Sequence, residues 1–163
     1  MSSTRIESLI DDVQRTFYEP PDQIETGLDV DDAALLQLRK ACRLLAGADN
    51  LLDEGHYTLA IEASFVTIER SIEFRILERG EMDPRDLPGS HTSIYQEAAN
   101  IGLFSESTAD DLSDLWREHR AKTYYQDGLA AEKRARRLHD LASEVHLFIV
   151  GRSSQGYACV CAS

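Results

Sequence analysis

DDAALLQLRKACRLLAGADNLLDEGHYTLAIEASFVTIERSIEFRILERG, residues 31–80, decides the fold class. Its first half carries Leu35, Leu38, Cys42, Leu45, Ala48 and Leu52, and its second carries Ile61, Phe65, Ile68, Ile72 and Ile76. Steps of three and four trace one face of a helix in each half. Asp31 or Asp32 can cap the first helix, Gly55 ends it, and the second runs from about His56 to Arg79. So short a turn between two long amphipathic segments predicts an antiparallel helical hairpin.

Working outward, the same periodicity continues and no strand pattern interrupts it. On the N-terminal side Ile6, Leu9, Ile10, Val13 and Phe17 form a helical stripe that Glu19-Pro20-Pro21 ends, leaving residues 18–30 as a linker. On the C-terminal side Gly80, Pro84, Pro88 and Gly89 mark a loop, and His91 to Ile101 reads as a short helix. Ser105 or Ser107 caps a segment bearing Leu112, Leu115 and Trp116, which runs towards Tyr124 and a turn at Gln126-Asp127-Gly128. Ala131, Ala135, Leu138, Ala142, Val145 and Ile149 define a last helix with Gly151 as its C-cap. The tail RSSQGYACVCAS is small and polar and is expected to fray. The expected architecture is all-α: an antiparallel four- to five-helix bundle with an additional N-terminal helix. It divides into an N-terminal helix and linker (1–30), the bundle (31–151) and a flexible tail (152–163).

Composition limits the function classes. A chain of 163 residues with 42% hydrophobic content can bury one core without metal or disulfide. No apolar run reaches membrane-spanning length, and acids stand where a signal peptide has a basic patch, so a cytoplasmic protein is expected. Cys42, Cys159 and Cys161 are an odd, sparse set. Cys159 and Cys161 lie too close for a zinc knuckle and Cys42 falls on an apolar face, so reduced, buried or incidental thiols are expected, with no metal site and no cofactor.

The net charge of −12 is Asp-rich and Lys-poor, with lysine only at Lys40, Lys122 and Lys133. That composition suits a cytoplasm of very high salt, where repulsion is screened within a few ångströms. The acidity then reports the solvent and leaves a nucleic-acid partner open. Against it stands a basic island, Arg117, Arg120, Lys122, Lys133, Arg134, Arg136 and Arg137, interrupted by Glu118, Asp127 and Glu132. Such an island can contact phosphate, an acidic partner or another copy of the chain, or it can be an exposed helix face paired with neighbouring acids.

The Gly55-His56-Tyr57 turn, the helix LAIEASFVTIERSIEFRILERG, the histidine-led HTSIYQEAANIGLF and above all LSDLWREHRAKTYYQDG before a final helix resemble the HEPN superfamily over roughly residues 31–150. The resemblance implies an arginine followed, after four to six residues, by a histidine at the junction before the last helix. Here Tyr125 follows Arg120 after four intervening residues, and Tyr124 follows Arg117 after six. Metal-independent RNA cleavage needs proton transfer to and from oxygen and a cation for the phosphorane charge. Imidazole titrates near neutrality and phenol near pH 10, so tyrosine keeps hydrogen bonding and stacking while giving up base catalysis.

The residues implied for chemistry are therefore Arg117, His119, Arg120 and Tyr125, with Lys122, Tyr124, Arg134 and Arg137 for binding. His119 lies within one turn of Arg117, about 100° round the helix from Arg120. His139 after Arg134 and His91 after Arg85 also fit the loose spacing; solvated face and helix start are their simpler readings, and turn and helix face are those of His56 and His146. The resemblance further implies a homodimer, and a nucleotidyltransferase antitoxin that could modify Tyr124 or Tyr125; alternatively these tyrosines pack at the helix junction. Three functions remain open: a catalytically degenerate module binding RNA, a nucleotide or a regulatory partner; an active ribonuclease toxin; and a helical assembly module.

Overall fold

The computed structural model describes residues 3–80, 82–157 and 159–161, with Tyr124 described by its backbone only. Among these residues the fold is all-α, with helices α1 (Ser3–Tyr18), α2 (Ala33–Asp53), α3 (Tyr57–Glu78), α4 (His91–Asn100), α5 (Glu106–Leu115), α6 (Ala121–Tyr125) and α7 (Glu132–Val150). A 3₁₀ turn at Pro84–Asp86 precedes α4, and a π turn at Trp116–Arg120 joins α5 to α6.

The caps follow the expected chemistry. Asp32 Oδ1 accepts from the Leu35 amide at 2.8 Å, Ser90 caps α4 through Ser93 N, and Ser105 caps α5 through Thr108 N. Each satisfies an amide that the first helical turn leaves unpaired. Gly55 closes the α2–α3 turn at φ +81°, a conformation that side chains with a Cβ resist.

Helix α3 is the centre of the bundle, packing on α2, α4, α7 and the π turn. One periodic stripe does not describe it, because Ser64, Thr67, Glu69, Ser71 and Glu73 are buried as well as Ile61, Phe65, Ile68, Ile72 and Phe74. A helix surrounded by others is buried all round. Two of its small polar residues are satisfied within the helix: Ser64 Oγ donates to the Ala60 carbonyl at 2.7 Å and Thr67 Oγ1 to Ala63 at 2.8 Å. The large apolar side chains against it, among them Leu38, Ile94 and Ile149, each contribute about 1.5–3 kcal/mol by leaving water.

Both ends depart from expectation. Within the 18–30 linker, Glu25 pairs with Arg43 at 2.9 Å and the Gly27 carbonyl accepts from Arg39 at 3.3 Å, so its second half lies along α2. The tail does not fray over its described residues. Glu78 accepts hydrogen bonds from Ser153 and, at 2.8 Å, from the Gln155 amide, while Tyr157 donates to Asp32 Oδ2 at 3.0 Å and packs on Phe74. Tyr157, Cys159, Val160 and Cys161 then lie against the main core. A buried carboxylate without a full set of local donors draws the polar tail inward. Helix α1, in contrast, buries none of its described residues, and Ile6, Leu9, Ile10 and Val13 form an exposed apolar stripe.

Candidate functional site: a basic cleft beside a buried arginine network

The segment WREHR forms a five-residue π turn, with the Ala121 amide reaching the Trp116 carbonyl. One such turn widens the helix and rotates the residues after it relative to a regular helix. Arg120 consequently points inward and is only 4% exposed, whereas Arg117 and His119 stay at the surface. The guanidinium meets Glu62 with two donors, Nε to Oε2 at 2.8 Å and Nη2 to Oε1, and it lies over the Trp116 ring at 5.5 Å. Its third nitrogen, Nη1, is 3.1 Å from His91 Nε2. Arginine has no lone pair to offer, so Nε2 accepts and the ring proton sits on Nδ1, 2.6 Å from Glu69 Oε1. The His91 ring stacks on Trp116, with centroids 4.9 Å apart.

Burial is the first influence on the charge of Arg120 and works against it, but the hydrogen bonds and negative charge of Glu62 outweigh that, so its pKa lies above the usual value. Desolvation pushes the Glu69 carboxyl above its ordinary range despite the opposing pull of His91, Arg120 and Arg70. The chain Glu62–Arg120–His91–Glu69 thus ties α3, α4 and the π turn together, with each guanidinium nitrogen and both imidazole nitrogens occupied.

A cleft of about 340 Å³ opens between α3, the α5–α6 junction and α7. Ile61, Phe65, Leu115, Leu138 and Leu141 supply its apolar lining, and His119, Thr123, Arg134 and Arg137 its polar lining. Arg134 is oriented by donating to the Leu129 carbonyl at 2.9 Å, and among the described residues no carboxylate pairs with Arg134 or Arg137. An apolar floor with a few converging polar groups is the general form of a small-ligand site.

The residues expected to act together separate into groups. Arg117 and Arg120 do not converge into one positive groove: Arg117 faces solvent 3.5 Å from Asp114, and Arg120 is held inside by Glu62. The π turn is the reason. His119 is exposed beside Glu118 at 3.8 Å and lines the cleft with Arg134 and Arg137. Lys122 and Tyr125 are exposed at α6, and the Tyr124 side chain lies outside the described residues. His139, expected on a solvated face, is half-buried 3.2 Å from Asp49, and His91 makes long-range bonds besides starting its helix. The importance of Glu62, Glu69 and His91 escaped sequence reasoning; carboxylates recurring among the apolar residues of α3, at Glu62, Glu69, Glu73 and Glu78, were the available signal.

A second cluster was also missed. Cys42, His146, Cys159 and Cys161 present their sulfurs and one imidazole nitrogen within 4.8 Å of one another. Cys159 and Cys161 are close in sequence and Cys42 lies on the apolar face of α2, but the fold brings Cys42 from α2 and His146 from α7 to the two tail cysteines. His146, read as a helix-face residue, lies on the buried face of α7 and is 1% exposed.

No curated protein and no solved structure matches the chain. Residues 1–161 match a domain of unknown function, DUF8154, and the chain belongs to that family.

Proposed function

We propose that the protein is a catalytically degenerate, HEPN-like helical module that binds RNA or a nucleotide in the cleft lined by His119, Arg134 and Arg137, and that it acts as a homodimer in a salt-rich cytoplasm. The observation that carries this reading is the division of labour among the arginines. Arg120, at the motif position, spends its charge on Glu62 within the fold, while Arg134 and Arg137 reach a cleft with an apolar floor. Phosphate oxygens fit the guanidinium forks and a base fits the floor. In concentrated salt the phosphate contribution shrinks, and the apolar floor supplies the remainder. The exposed stripe of α1 supports self-association, because an amphipathic helix whose apolar face packs on nothing among the described residues is stabilised by burying that face on another.

The test is a gel assay with labelled RNA at high potassium, run with the wild type, Arg134→Ala/Arg137→Ala and Arg120→Ala. Retarded, intact RNA that the double variant fails to retard is the expected result. Protein that neither binds nor cuts RNA while remaining dimeric refutes it in favour of an assembly module. A second reading, an active metal-independent ribonuclease, is favoured by one contact, the 3.1 Å approach of His91 to Arg120, which brings a histidine to the motif arginine from another helix. RNA cleavage abolished by His91→Ala and by Arg120→Ala would establish that reading instead.

A further inference from the structure

We propose that Cys42, His146, Cys159 and Cys161 form a structural zinc site that fastens the C-terminal tail to α2 and α7. Zinc with three thiolates and one imidazole is tetrahedral, with Zn–S near 2.3 Å and Zn–N near 2.0–2.1 Å, so the donor atoms should stand about 3.8 Å apart for sulfur pairs and about 3.6 Å for sulfur–nitrogen pairs. The observed separations are 3.4 Å for Cys42–Cys159, and 3.6, 3.1 and 3.3 Å from His146 Nε2 to Cys42, Cys159 and Cys161. Four of the six donor–donor edges lie within about half an ångström of those values and all four donors lie within 4.8 Å of one another, closer than packing of small apolar side chains requires. Soft sulfur donors with one nitrogen select zinc over the hard cations magnesium and calcium.

The surroundings carry the features of a closed site. Ser71 Oγ lies 2.9 Å from His146 Nδ1, where it accepts that N–H and leaves Nε2 for the metal, the outer-shell arrangement that fixes the orientation of a histidine ligand. The Cys161 amide donates to Cys159 Sγ at 3.3 Å. Cys42 and His146 are buried and Cys159 and Cys161 half-buried, and four protein donors leave no open coordination position, which makes the site structural and not catalytic. On binding, each cysteine that is still a thiol gives its proton to solvent and its sulfur lone pair to Zn²⁺, with no change of oxidation state. The metal then closes a loop of the whole bundle, because Cys42 and Cys159 are 117 residues apart.

Untagged full-length protein, purified reduced and without chelator, should contain about one zinc per chain by elemental analysis. Replacement by Co²⁺ should give the intense visible bands of tetrahedral cobalt together with sulfur-to-cobalt charge transfer in the near ultraviolet. Cys161→Ser, at the tail and away from the centre of the core, should weaken zinc binding at least about tenfold and diminish the charge-transfer band, and Ser71→Ala should weaken it by about 10–100-fold. Chelator added to the wild type should lower Tm, a readout that needs no substitution. Protein that takes up neither zinc nor cobalt under reducing conditions overturns the proposal, as does Cys161→Ser binding zinc as tightly as wild type. A thiol count of one in denaturant without reductant, indicating a disulfide among these cysteines, overturns it equally.

Discussion

Glu62 holds Arg120 by two parallel hydrogen bonds across the α3–π-turn interface, and this pairing decides what the motif arginine can do. The Arg120 side chain is 5% exposed and that of Glu62 23%, so the pair is dry on the arginine side. Removing one member of a buried pair leaves the other uncompensated and costs about 3–5 kcal/mol. Arg120→Ala should therefore lower unfolding free energy by about 3 kcal/mol, the lower end because Glu62 retains some water. Urea denaturation checks this. Glu62→Gln/Arg120→Met should cost less than the sum of the single changes, since neither partner is then left with an unmatched charge.

The same reasoning assigns opposite behaviour to Arg134 and Arg137. Neither is buried and neither is paired with a carboxylate among the described residues, so alanine at either should change stability by no more than about 0.5 kcal/mol. Each should weaken RNA binding, and each should reduce the slope of log K against log salt by about one, the loss of one phosphate contact. Anisotropy titrations across a potassium chloride series measure both quantities. A slope unchanged in the double variant would remove these arginines from the interface.

Much of the fold was legible because its elements obey local rules. Asp32, Ser90 and Ser105 cap where capping chemistry puts them, and the stripe from Leu35 to Leu52 faces the core as its period requires. The site was less legible, since it depends on where one helix gains a wider turn. Nothing in WREHR announces a π turn, yet that turn sends Arg120 inward and leaves Arg117 outside. Nor does sequence spacing show that Cys42 meets Cys159, because the contact is made by the tail folding back along the bundle, where Glu78 and Asp32 hold it. Long-range polar contacts of this kind leave no periodic trace.

Gly128 is held to its identity by close approach. Its amide donates to the Lys122 carbonyl at 3.0 Å, and a Cβ there would stand 2.8 Å from the Lys122 carbonyl carbon. Backbone atoms cannot yield as a flexible side chain can. Gly128→Ala should destabilise by about 1–3 kcal/mol, the usual cost of overpacking, and should loosen the α6–α7 connection that carries Leu129 to its contact with Arg134. Chemical denaturation gives the first quantity and amide exchange over residues 122–131 the second.

Glu69 and Glu73 give the protein a pH dependence of definite sign. Both are buried on α3 one turn apart, and desolvation raises both carboxyls above their ordinary range, with Arg70 opposing in each case and His91 opposing at Glu69. A carboxyl whose folded-state pKa is raised binds its proton more tightly folded than unfolded, so its contribution to stability is greatest below the unfolded pKa, near 4.5, and is lost as pH rises through the folded value. Glu73→Gln removes the titration while its amide oxygen can still accept from Arg70, which reaches Glu73 at 2.6 Å. The stability of Glu73→Gln relative to wild type should therefore increase from about pH 4 upward and level off once wild-type Glu73 is ionised. Paired urea melts at about pH 4, 5, 6 and 7 follow that difference. A difference that falls with pH would mean that attraction to Arg70 and Lys40 outweighs the desolvation of this carboxylate.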